Sequence, residues 1–262
     1  MNTKIFFFDL DGTIVKQNGI ISERVIKAIK SIREDGHLCF IASGRPLTFI
    51  SDYIRDIGFD GYILCNGSVI VYHNEIIENH PLDELKVKDF INFLEKSHTE
   101  YILQISEKCY IKRECIRMLE FYKKNKIDIK QFVYDFNRDE QINQTCKIEL
   151  YPKNINDRIK IIDKLDEFSY INYDDSFIEV YSKEKSKASA VKKMIQSLNI
   201  EYKNTYCFGD GKNDIEMFKE VCHSYAMENA KNEVKKEAKY VCPSVDEDGT
   251  AIILEQLILS RK

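Results

Sequence analysis

The chain has 262 residues, of which 44% are hydrophobic and 31% are charged, and its formal net charge is −4. This composition is typical of a folded globular protein and excludes a disordered chain, a collagen and a disulfide scaffold. Because lysines are interleaved with acidic residues, the sequence shows no basic face. We therefore expect no nucleic-acid partner.

Cysteine placement and the N-terminal segment bear on the cellular compartment. The eight cysteines lie mostly inside apolar runs and form no Cys-x-x-Cys pair, which favours reduced core thiols. The apolar run before Asp9 is too short for a signal peptide. No run approaches the roughly 18 apolar residues of a membrane span. We therefore expect a cytoplasmic protein with no membrane partner.

The first 81 residues alternate buried strands with amphipathic helices. Residues 4–8 form a continuous apolar run, typical of a strand buried on both faces of a parallel sheet. Ser22 is the expected N-cap of a helix that ends near Gly36. The further predicted elements are a strand over 38–42, a helix over 46–57, a strand over 62–64 and a hairpin of 69–72 with 75–77.

Residues 82–181 have a different pattern, in which polar and apolar residues alternate along the strands. One-sided strands of this kind predict an open sheet with helices on one face only. The predicted strands are 101–106, 109–112, 127–134, 147–151, 170–173 and 177–181. The predicted helices end near residues 96 and 124, with a weak helix after 134 and another over 154–168.

From residue 182 the buried alternation returns. The predicted helices cover 187–198, 214–220 and 251–259, and the predicted strands cover 205–208, 224–227 and an edge segment, 240–243. The simplest assembly is an α/β fold with a doubly wound, mostly parallel, Rossmann-like core made of residues 1–81 and 182–262. Residues 82–181 are then a second α/β domain inserted into that core.

A pair of carboxylates stands where the first strand ends, in the string Asp9-Leu10-Asp11-Gly12-Thr13. Side chains two residues apart on a strand end point the same way, so they can share a reacting group or a cation. A polar turn with Gly12 at positive φ explains the same string equally well. A calcium loop does not fit, because its glycine would stand at position six rather than four.

A similar string occurs near the end of the chain, Asp246-Glu247-Asp248-Gly249-Thr250. It follows a short proline-containing segment and leads directly into the terminal helix. We interpret it as a turn in which Asp248 caps that helix.

Three further strand-end or helix-start features are compatible with binding an anion or a cation. Ser43-Gly44-Arg45-Pro46 offers a hydroxyl and free amide groups to an anion, although a plain helix cap with proline is the alternative. Asp210, in the loop 209–214, forms with the first string a sensible Mg²⁺ site, with an Asp and Gly turn as the alternative. Lys187 opens a helix, which is unfavourable unless a carboxylate or anion lies nearby. A solvated lysine is the alternative there.

Other catalytic classes lack their motifs. The five histidines are never spaced as i, i+2 or i, i+4, so a zinc site is not expected. The sequence contains neither a phosphate-binding P-loop nor a Gly-x-Ser-x-Gly nucleophile elbow.

Taken in order, these motifs resemble the haloacid dehalogenase superfamily, and within it the Cof-type branch, subfamily IIB, which carries a large α/β cap between the second and third motifs. The resemblance covers nearly the whole chain. It rests on Asp9-x-Asp11-Gly12-Thr13, Ser43-Gly44-Arg45, Lys187 and Gly209-Asp210-x-x-Asn213-Asp214. Further signatures of that branch are Cys65-Asn66-Gly67 and the tail from Met227-Glu228-Asn229-Ala230 to Asp248-Gly249.

The resemblance implies a role for each of these positions. Asp9 would attack phosphorus to form an aspartyl phosphate, and Asp11 would act as general acid and base. Mg²⁺ would be held by the Asp9 carboxylate, the Asp11 backbone carbonyl and Asp210, with Asp214 behind it or paired with Lys187. The transferring phosphate would be bound by Thr13, Ser43, Gly44, Lys187 and Asn213.

The expected function is that of a Mg²⁺-dependent phosphatase acting on a small soluble phosphomonoester, either a phosphosugar or a phosphorylated cofactor. The expected assembly is a monomer or a weak homodimer. The alternatives are a phosphohexomutase, which shares the first motif and the cap, and a non-enzymatic protein that binds a phosphate ligand. The last would predict a missing nucleophile or metal ligand, whereas all are present.

Overall fold

The structure is a computed structural model that describes residues 2–124, 127–173 and 177–259. Its strands, in chain order, are β1 (Ile5–Phe8), β2 (Leu38–Ala42), β3 (Gly61–Leu64), β4 (Val69–Tyr72), β5 (Glu75–Asn79), β6 (Glu100–Gln104), β7 (Cys109–Ile111), β8 (Phe132–Val133), β9 (Lys147–Tyr151), β10 (Ser169–Tyr173), β11 (Phe177–Tyr181), β12 (Thr205–Gly209), β13 (His223–Met227) and β14 (Tyr240–Cys242). Its α-helices are α1 (Glu23–Glu34), α2 (Asp52–Arg55), α3 (Glu84–Lys96), α4 (Ile116–Lys124), α5 (Arg138–Ile142), α6 (Ile155–Ile162), α7 (Lys187–Ser197), α8 (Ile215–Glu220), α9 (Asn232–Lys235) and α10 (Gly249–Leu259).

The chain divides into two compact units. The first consists of Met1–Gly44, Ser51–Ile77 and Ser186–Lys262, and the second consists of Arg45–Ile50 and Glu78–Lys185. The functional division into a catalytic core and a cap stays a prediction.

The first unit is built on an eight-stranded sheet with the order β14-β13-β12-β1-β2-β3-β4-β5. The central strand β1 is parallel to both of its neighbours, with Ile5 opposite Leu38 on one side and Thr205 on the other. All four of its residues are fully buried, as expected where both faces of a parallel sheet are covered. The doubly wound, mostly parallel α/β fold is therefore confirmed. Because the strand order reverses at β1, a crevice is expected beyond the carboxyl ends of the central strands.

The helix cap and the hairpin turn predicted from short sequence patterns in this unit are present in the structure. The Ser22 side chain accepts a hydrogen bond from the Val25 amide at 3.2 Å and caps α1, and Gly36 ends it with φ of 81°. β4 and β5 are neighbours across His73 and Asn74, which both have positive φ, as the tightest hairpin turns require. The predicted N-cap and hairpin are confirmed.

The helix predicted over residues 46–57 is wrong. The segment forms a 3₁₀ turn, Leu47–Phe49, then extends at Ile50 before the short helix α2. Phe49 is buried against the rings of Tyr122 and Phe132, with centroids 5.6 and 5.5 Å apart, and belongs to the second unit. Because the chain changes from one unit to the other at this point, a continuous helix cannot form.

The second unit is built on a six-stranded sheet with the order β10-β11-β9-β6-β7-β8. Neighbouring strands are antiparallel, except for β7 and β8. One face packs against α3 and α6 through an apolar cluster that includes Val87, Phe90, Leu94, Leu103, Ile148, Ile161 and Val180. The opposite face packs against α4, where Met118 and Tyr122 contact a cluster that includes Ile102 and Ile111. The expectation of helices on one face therefore holds for α3 and α6 but not for α4.

Two other elements of this unit differ in length from the prediction. The helix predicted over 154–168 ends at Ile162, where turns at Lys164 and Leu165 begin. The strand predicted over 127–134 is a 3₁₀ turn, Ile129–Gln131, followed by the two-residue strand β8. The Asp128 side chain accepts from the Lys130 amide, which favours the turn over an extended start.

The structure also bears on the predictions of reduced core cysteines and of no membrane span. All eight cysteines, each a described residue, are thiols outside any disulfide, and seven of them are buried, in agreement with the predicted core thiols. Within residues 2–124, 127–173 and 177–259, none of the helices combines the length and the apolar character that a membrane crossing needs.

Candidate active site

The polar side chains singled out in the sequence gather at the carboxyl ends of the central strands of the first unit. Asp9 follows β1, Ser43 follows β2, and Asp210 follows β12. Lys187 is the first residue of α7. Gly67, in the turn after β3, explains the approach of that helix. A Cβ atom at Gly67 would lie 2.2 Å from the Ser186 carbonyl oxygen, so only glycine lets the helix start come so close.

Lys187 is the centre of a buried ion-pair network. Its Nζ donates to Asp9 Oδ1 at 2.6 Å and to Asp214 Oδ1 at 2.7 Å. The Lys187 and Asp214 side chains are fully buried, and that of Asp9 is 11% exposed. The two carboxylates balance the positive charge of Lys187 at the helix start. Lys187 is therefore not a solvated lysine, which was the alternative left open by the sequence spacing.

Asp214 is also fixed through its other oxygen. Its Oδ2 accepts from the Asp210 amide at 3.0 Å and from the Gly211 amide at 2.9 Å. Both oxygens are therefore used by protein donors. Asp214 holds the 209–214 loop and Lys187 in place, and it has less capacity to bind a cation directly.

Asp210 lies against the loop that follows β1. The Thr13 hydroxyl donates to Asp210 Oδ1 at 3.3 Å. Gly12 has φ of 82°, and a Cβ atom there would lie 2.3 Å from Asp210 Oδ2. Positive φ and this close approach both require glycine. The Thr13 hydroxyl, predicted to bind phosphate, is thus engaged with a carboxylate.

Burial controls the charge state of the carboxylates. Burial, together with the neighbouring Asp214 and Asp210, raises the pKa of Asp9 although Lys187 opposes the shift. Burial and the charge of Asp214 raise the pKa of Asp210 to about 6. Burial alone would lower the pKa of Lys187, but Asp214 and Asp9 outweigh it and keep the ammonium charged.

These carboxylates form a donor set suited to a hard divalent cation. Asp9, Asp210 and Asp214 each offer an oxygen within 4.8 Å of the others. Three carboxylates face the single ammonium of Lys187, so the cluster carries excess negative charge in its ionised form. Oxygen ligands with that charge fit Mg²⁺, which binds through one or two carboxylates and keeps several waters. Since Asp214 is engaged by other donors, Asp9 and Asp210 are the side chains left to bind it.

The other residues predicted for the site differ in their burial and in their hydrogen bonds. Asp11 is exposed and lies three residues after the end of β1, and Ser43 is buried. The amide of Asn213 donates to Asn66 Oδ1 at 2.9 Å. Gly44 follows Ser43 in the first unit, whereas Arg45 belongs to the second. Which of these groups contact phosphate stays a prediction.

Asn66 had no role assigned to it from the sequence. It is 1% exposed, has φ of 55°, and holds Asn213 next to the carboxylates. Its position two residues after a buried strand, beside Gly67, is the same signal that identified the other strand-end loops.

The second acidic string forms the predicted turn, and it also contacts the first string. Lys16 Nζ donates to the Asp246 carbonyl at 3.1 Å and pairs with Asp248 Oδ1 at 3.0 Å. The Thr250 hydroxyl donates to the Thr13 carbonyl at 3.2 Å. The turn is closed by Gly249, whose Cβ would lie 1.8 Å from the Pro243 carbonyl oxygen. No local sequence pattern predicted these long-range contacts.

Comparisons with known proteins agree with this geometry. The family described as haloacid dehalogenase-like hydrolase matches residues 6–254. YkrA of Bacillus subtilis (strain 168) is 29% identical over 262 residues, covering 98% of each chain. From the same organism, the 5-amino-6-(5-phospho-D-ribitylamino)uracil phosphatase YcsE is 25% identical, covering 99% of this chain and 97% of its own.

Solved structures show the same fold. A protein from Geobacillus kaustophilus HTA426 has a TM-score of 0.88 and 28% identity, covering 98% of this chain and 100% of its own. The HAD subclass IIB sugar phosphatase BT4131 has a TM-score of 0.82 and 26% identity, covering 97% of this chain and 99% of its own.

Proposed function

Because the chain belongs to the haloacid dehalogenase-like hydrolases, we propose that it is a Mg²⁺-dependent phosphatase that hydrolyses a small phosphomonoester through an aspartyl phosphate on Asp9. The observation that carries the proposal is the contact of Lys187 with Asp9 at 2.6 Å, at the end of the central strand. This contact orients one oxygen of the carboxylate and places a fixed positive charge where phosphoryl oxygens would gather. Fixed charges of this kind stabilise a phosphoryl-transfer transition state.

In the first half of the reaction, an Asp9 oxygen forms a bond to phosphorus, and the bond from phosphorus to the leaving oxygen breaks. Asp11 gives a proton to that oxygen, which leaves as an alcohol. In the second half, Asp11 takes a proton from water, whose oxygen attacks phosphorus. The bond to Asp9 breaks, and inorganic phosphate leaves.

The residues around Asp9 support these steps. Asp9, the Asp11 carbonyl and Asp210 would hold Mg²⁺, which would offset the repulsion between the carboxylate nucleophile and the phosphate dianion. Lys187, Ser43, the Gly44 amide, Thr13 and Asn213 are proposed to bind the phosphoryl oxygens. Asp214 keeps Lys187 and the 209–214 loop in place.

We further propose that the substrate is a sugar phosphate or a phosphorylated cofactor and that the second unit selects it as a cap domain. BT4131 is a sugar phosphatase, and YcsE acts on a phosphorylated ribitylamino-uracil, as their names state. Both substrates are small hydroxylated phosphomonoesters. The protein is proposed to act in the cytoplasm as a monomer or a weak homodimer.

Phosphate release from a panel of sugar, nucleotide and cofactor monophosphates, with Mg²⁺ or with EDTA, tests the proposal. Asp9→Asn removes the nucleophile, so we expect release to fall by about 10³-fold or more. Asp246→Asn is the matched control, because it makes the same change at the first position of the second acidic string, on an exposed residue. It should keep wild-type activity.

Equal release by the wild-type protein and Asp9→Asn would contradict the nucleophile assignment. Interconversion of hexose monophosphates in the presence of a hexose bisphosphate, without net phosphate release, would instead identify a phosphohexomutase.

A further inference from the structure

Asn229 lies in the loop after β13 and joins three loops of the first unit. Its Nδ2 donates to the Gly12 carbonyl at 2.8 Å and lies 3.4 Å from Asp210 Oδ2. Its Oδ1 accepts from the Val245 amide at 2.9 Å. The partners fix the orientation of the side-chain amide, because the carbonyl can only accept and the backbone amide can only donate.

These contacts affect the two loops that carry the proposed nucleophile and the proposed metal ligand. The Gly12 carbonyl belongs to the peptide that joins Gly12 to Thr13, so a bond to it restrains the orientation of the loop that follows β1. The Asp210 carboxylate is held from both sides, by Thr13 at Oδ1 and by Asn229 at Oδ2. The Asn229 side chain thus links this loop to Asp210, in addition to the direct bond from Thr13.

We propose that Asn229 is a positioning residue for the metal centre: its amide holds the Gly12 carbonyl and the Asp210 carboxylate in the arrangement that binds the cation. The inference rests on the proposed function only for its activity measurement, since metal affinity is measured separately. Partners that orient metal ligands change affinity or activity by about 10- to 100-fold when they are removed.

The first test compares Asn229→Ala with the wild-type protein and with Asn18→Ala. Asn18 is a suitable control, because its Oδ1 accepts from the Ile20 amide in an exposed turn of the same loop region. We expect the dissociation constant for Mn²⁺, measured by electron paramagnetic resonance of the free ion, to rise by about tenfold in Asn229→Ala only. With para-nitrophenyl phosphate at saturating metal, kcat should fall while KM stays unchanged. Wild-type Mn²⁺ affinity in folded Asn229→Ala would overturn the inference.

The second test uses Asn229→Asp, which keeps the side-chain shape and the acceptor for Val245 but cannot donate to Gly12 when ionised. Hydrogen exchange of a peptide covering residues 9–16 should be faster than in the wild-type protein and Asn18→Ala. Unchanged exchange would overturn the inference even if Asn229→Ala does not fold.

The two proposals fail in different ways. A wild-type protein without phosphatase activity, whose Mn²⁺ affinity nevertheless falls in Asn229→Ala, would contradict the proposed function and support the role of Asn229. If the wild-type protein is active and Asn229→Ala has the same Mn²⁺ affinity, kcat and hydrogen exchange, the proposed function is supported and the role of Asn229 is contradicted.

Discussion

Each unit of the molecule buries a lysine between two carboxylates. In the first unit, Lys187 lies 2.6 Å from Asp9 and 2.7 Å from Asp214. In the second, Lys147 lies 2.7 Å from Glu149 and 3.3 Å from Glu179. The two lysine side chains are 0% and 1% exposed, so the clusters match in charge type and in burial.

The clusters differ in the backbone that carries them. Lys147 and Glu149 lie two residues apart on β9, and Glu179 lies opposite Glu149 on β11. The Tyr122 hydroxyl also donates to Glu149. This cluster is fixed in the middle of a sheet. The Lys187 cluster lies beyond strand ends and includes a third carboxylate, Asp210, within reach of a cation. Position at strand ends, rather than the charges themselves, therefore distinguishes the candidate active site.

Replacing each lysine by methionine should separate the two clusters most strongly. Lys187→Met removes the charge beside the nucleophile, so we expect phosphate release from para-nitrophenyl phosphate to fall by about 10²- to 10³-fold. Lys147→Met should leave this release little changed, because it touches none of the reacting groups. Steady-state kinetics of both variants measures the difference.

Both replacements should reduce stability, which makes each variant a control for the other. Removing one partner of a buried ion pair leaves an uncompensated charge and costs about 3–5 kcal/mol. Urea unfolding measures this change. A large loss of activity in Lys147→Met, beyond what its unfolded fraction explains, would show that the second cluster also takes part in the reaction.

The third carboxylate should give the first cluster its own pH dependence. Burial and Asp214 raise the pKa of Asp210 from 3.8 to about 6. Between about pH 4 and about pH 6, Asp210 therefore keeps its proton in the folded protein but has lost it in the unfolded chain. The stability of the metal-free protein falls as the pH rises through this range. Asp210→Asn removes this effect. In EDTA it should be more stable than the wild-type protein at pH 7.5, by roughly 1–3 kcal/mol.

Chemical denaturation at several pH values measures that gain. It should disappear at about pH 3, below the ordinary pKa of 3.8, where wild-type Asp210 is largely protonated in both the folded and the unfolded state. A gain that is the same at every pH would contradict the assignment to Asp210.

A smaller change in stability is expected when Gln104, beside the second cluster, is replaced. It lies between Lys147 and Cys109 on neighbouring strands, is fully buried, and neither polar atom of its amide has a hydrogen-bond partner among the described residues. Gln104→Leu should raise the free energy of unfolding by about 1 kcal/mol, because it removes an unsatisfied buried amide. Urea midpoints measure the change, with Gln144→Leu, on an exposed residue, as control. A loss of stability would show that the amide has a partner in solution.

The sequence predicted what depends on local pattern. The apolar run at residues 5–8 identified the central strand, and Ser22 and Gly36 identified the ends of α1. The strand-end rule then selected Asp9 and Asp210, which the structure brings to one cluster. These features follow from residues close together in the chain.

What the sequence did not predict depends on partners far away in the chain. Spacing could not distinguish Lys187 from the lysines around it, because its partners lie 178 and 27 residues away. The polar positions of β9 suggested an exposed face, but α4 packs against that face. Phe49 interrupts an otherwise plausible helix for the same reason, since its partners Tyr122 and Phe132 lie 73 and 83 residues away in the chain.

The place of β1 between β2 and β12 also has a consequence during synthesis. Its pairing with β12 joins residues 200 positions apart, Ile5 with Thr205, so one side of β1 stays unpaired until most of the chain has left the ribosome. An apolar, unpaired strand is an aggregation hazard. The inserted unit, Glu78–Lys185, is complete before that pairing becomes possible. We therefore expect the first unit to be the last to form and the nascent chain to depend on protection of β1 until then.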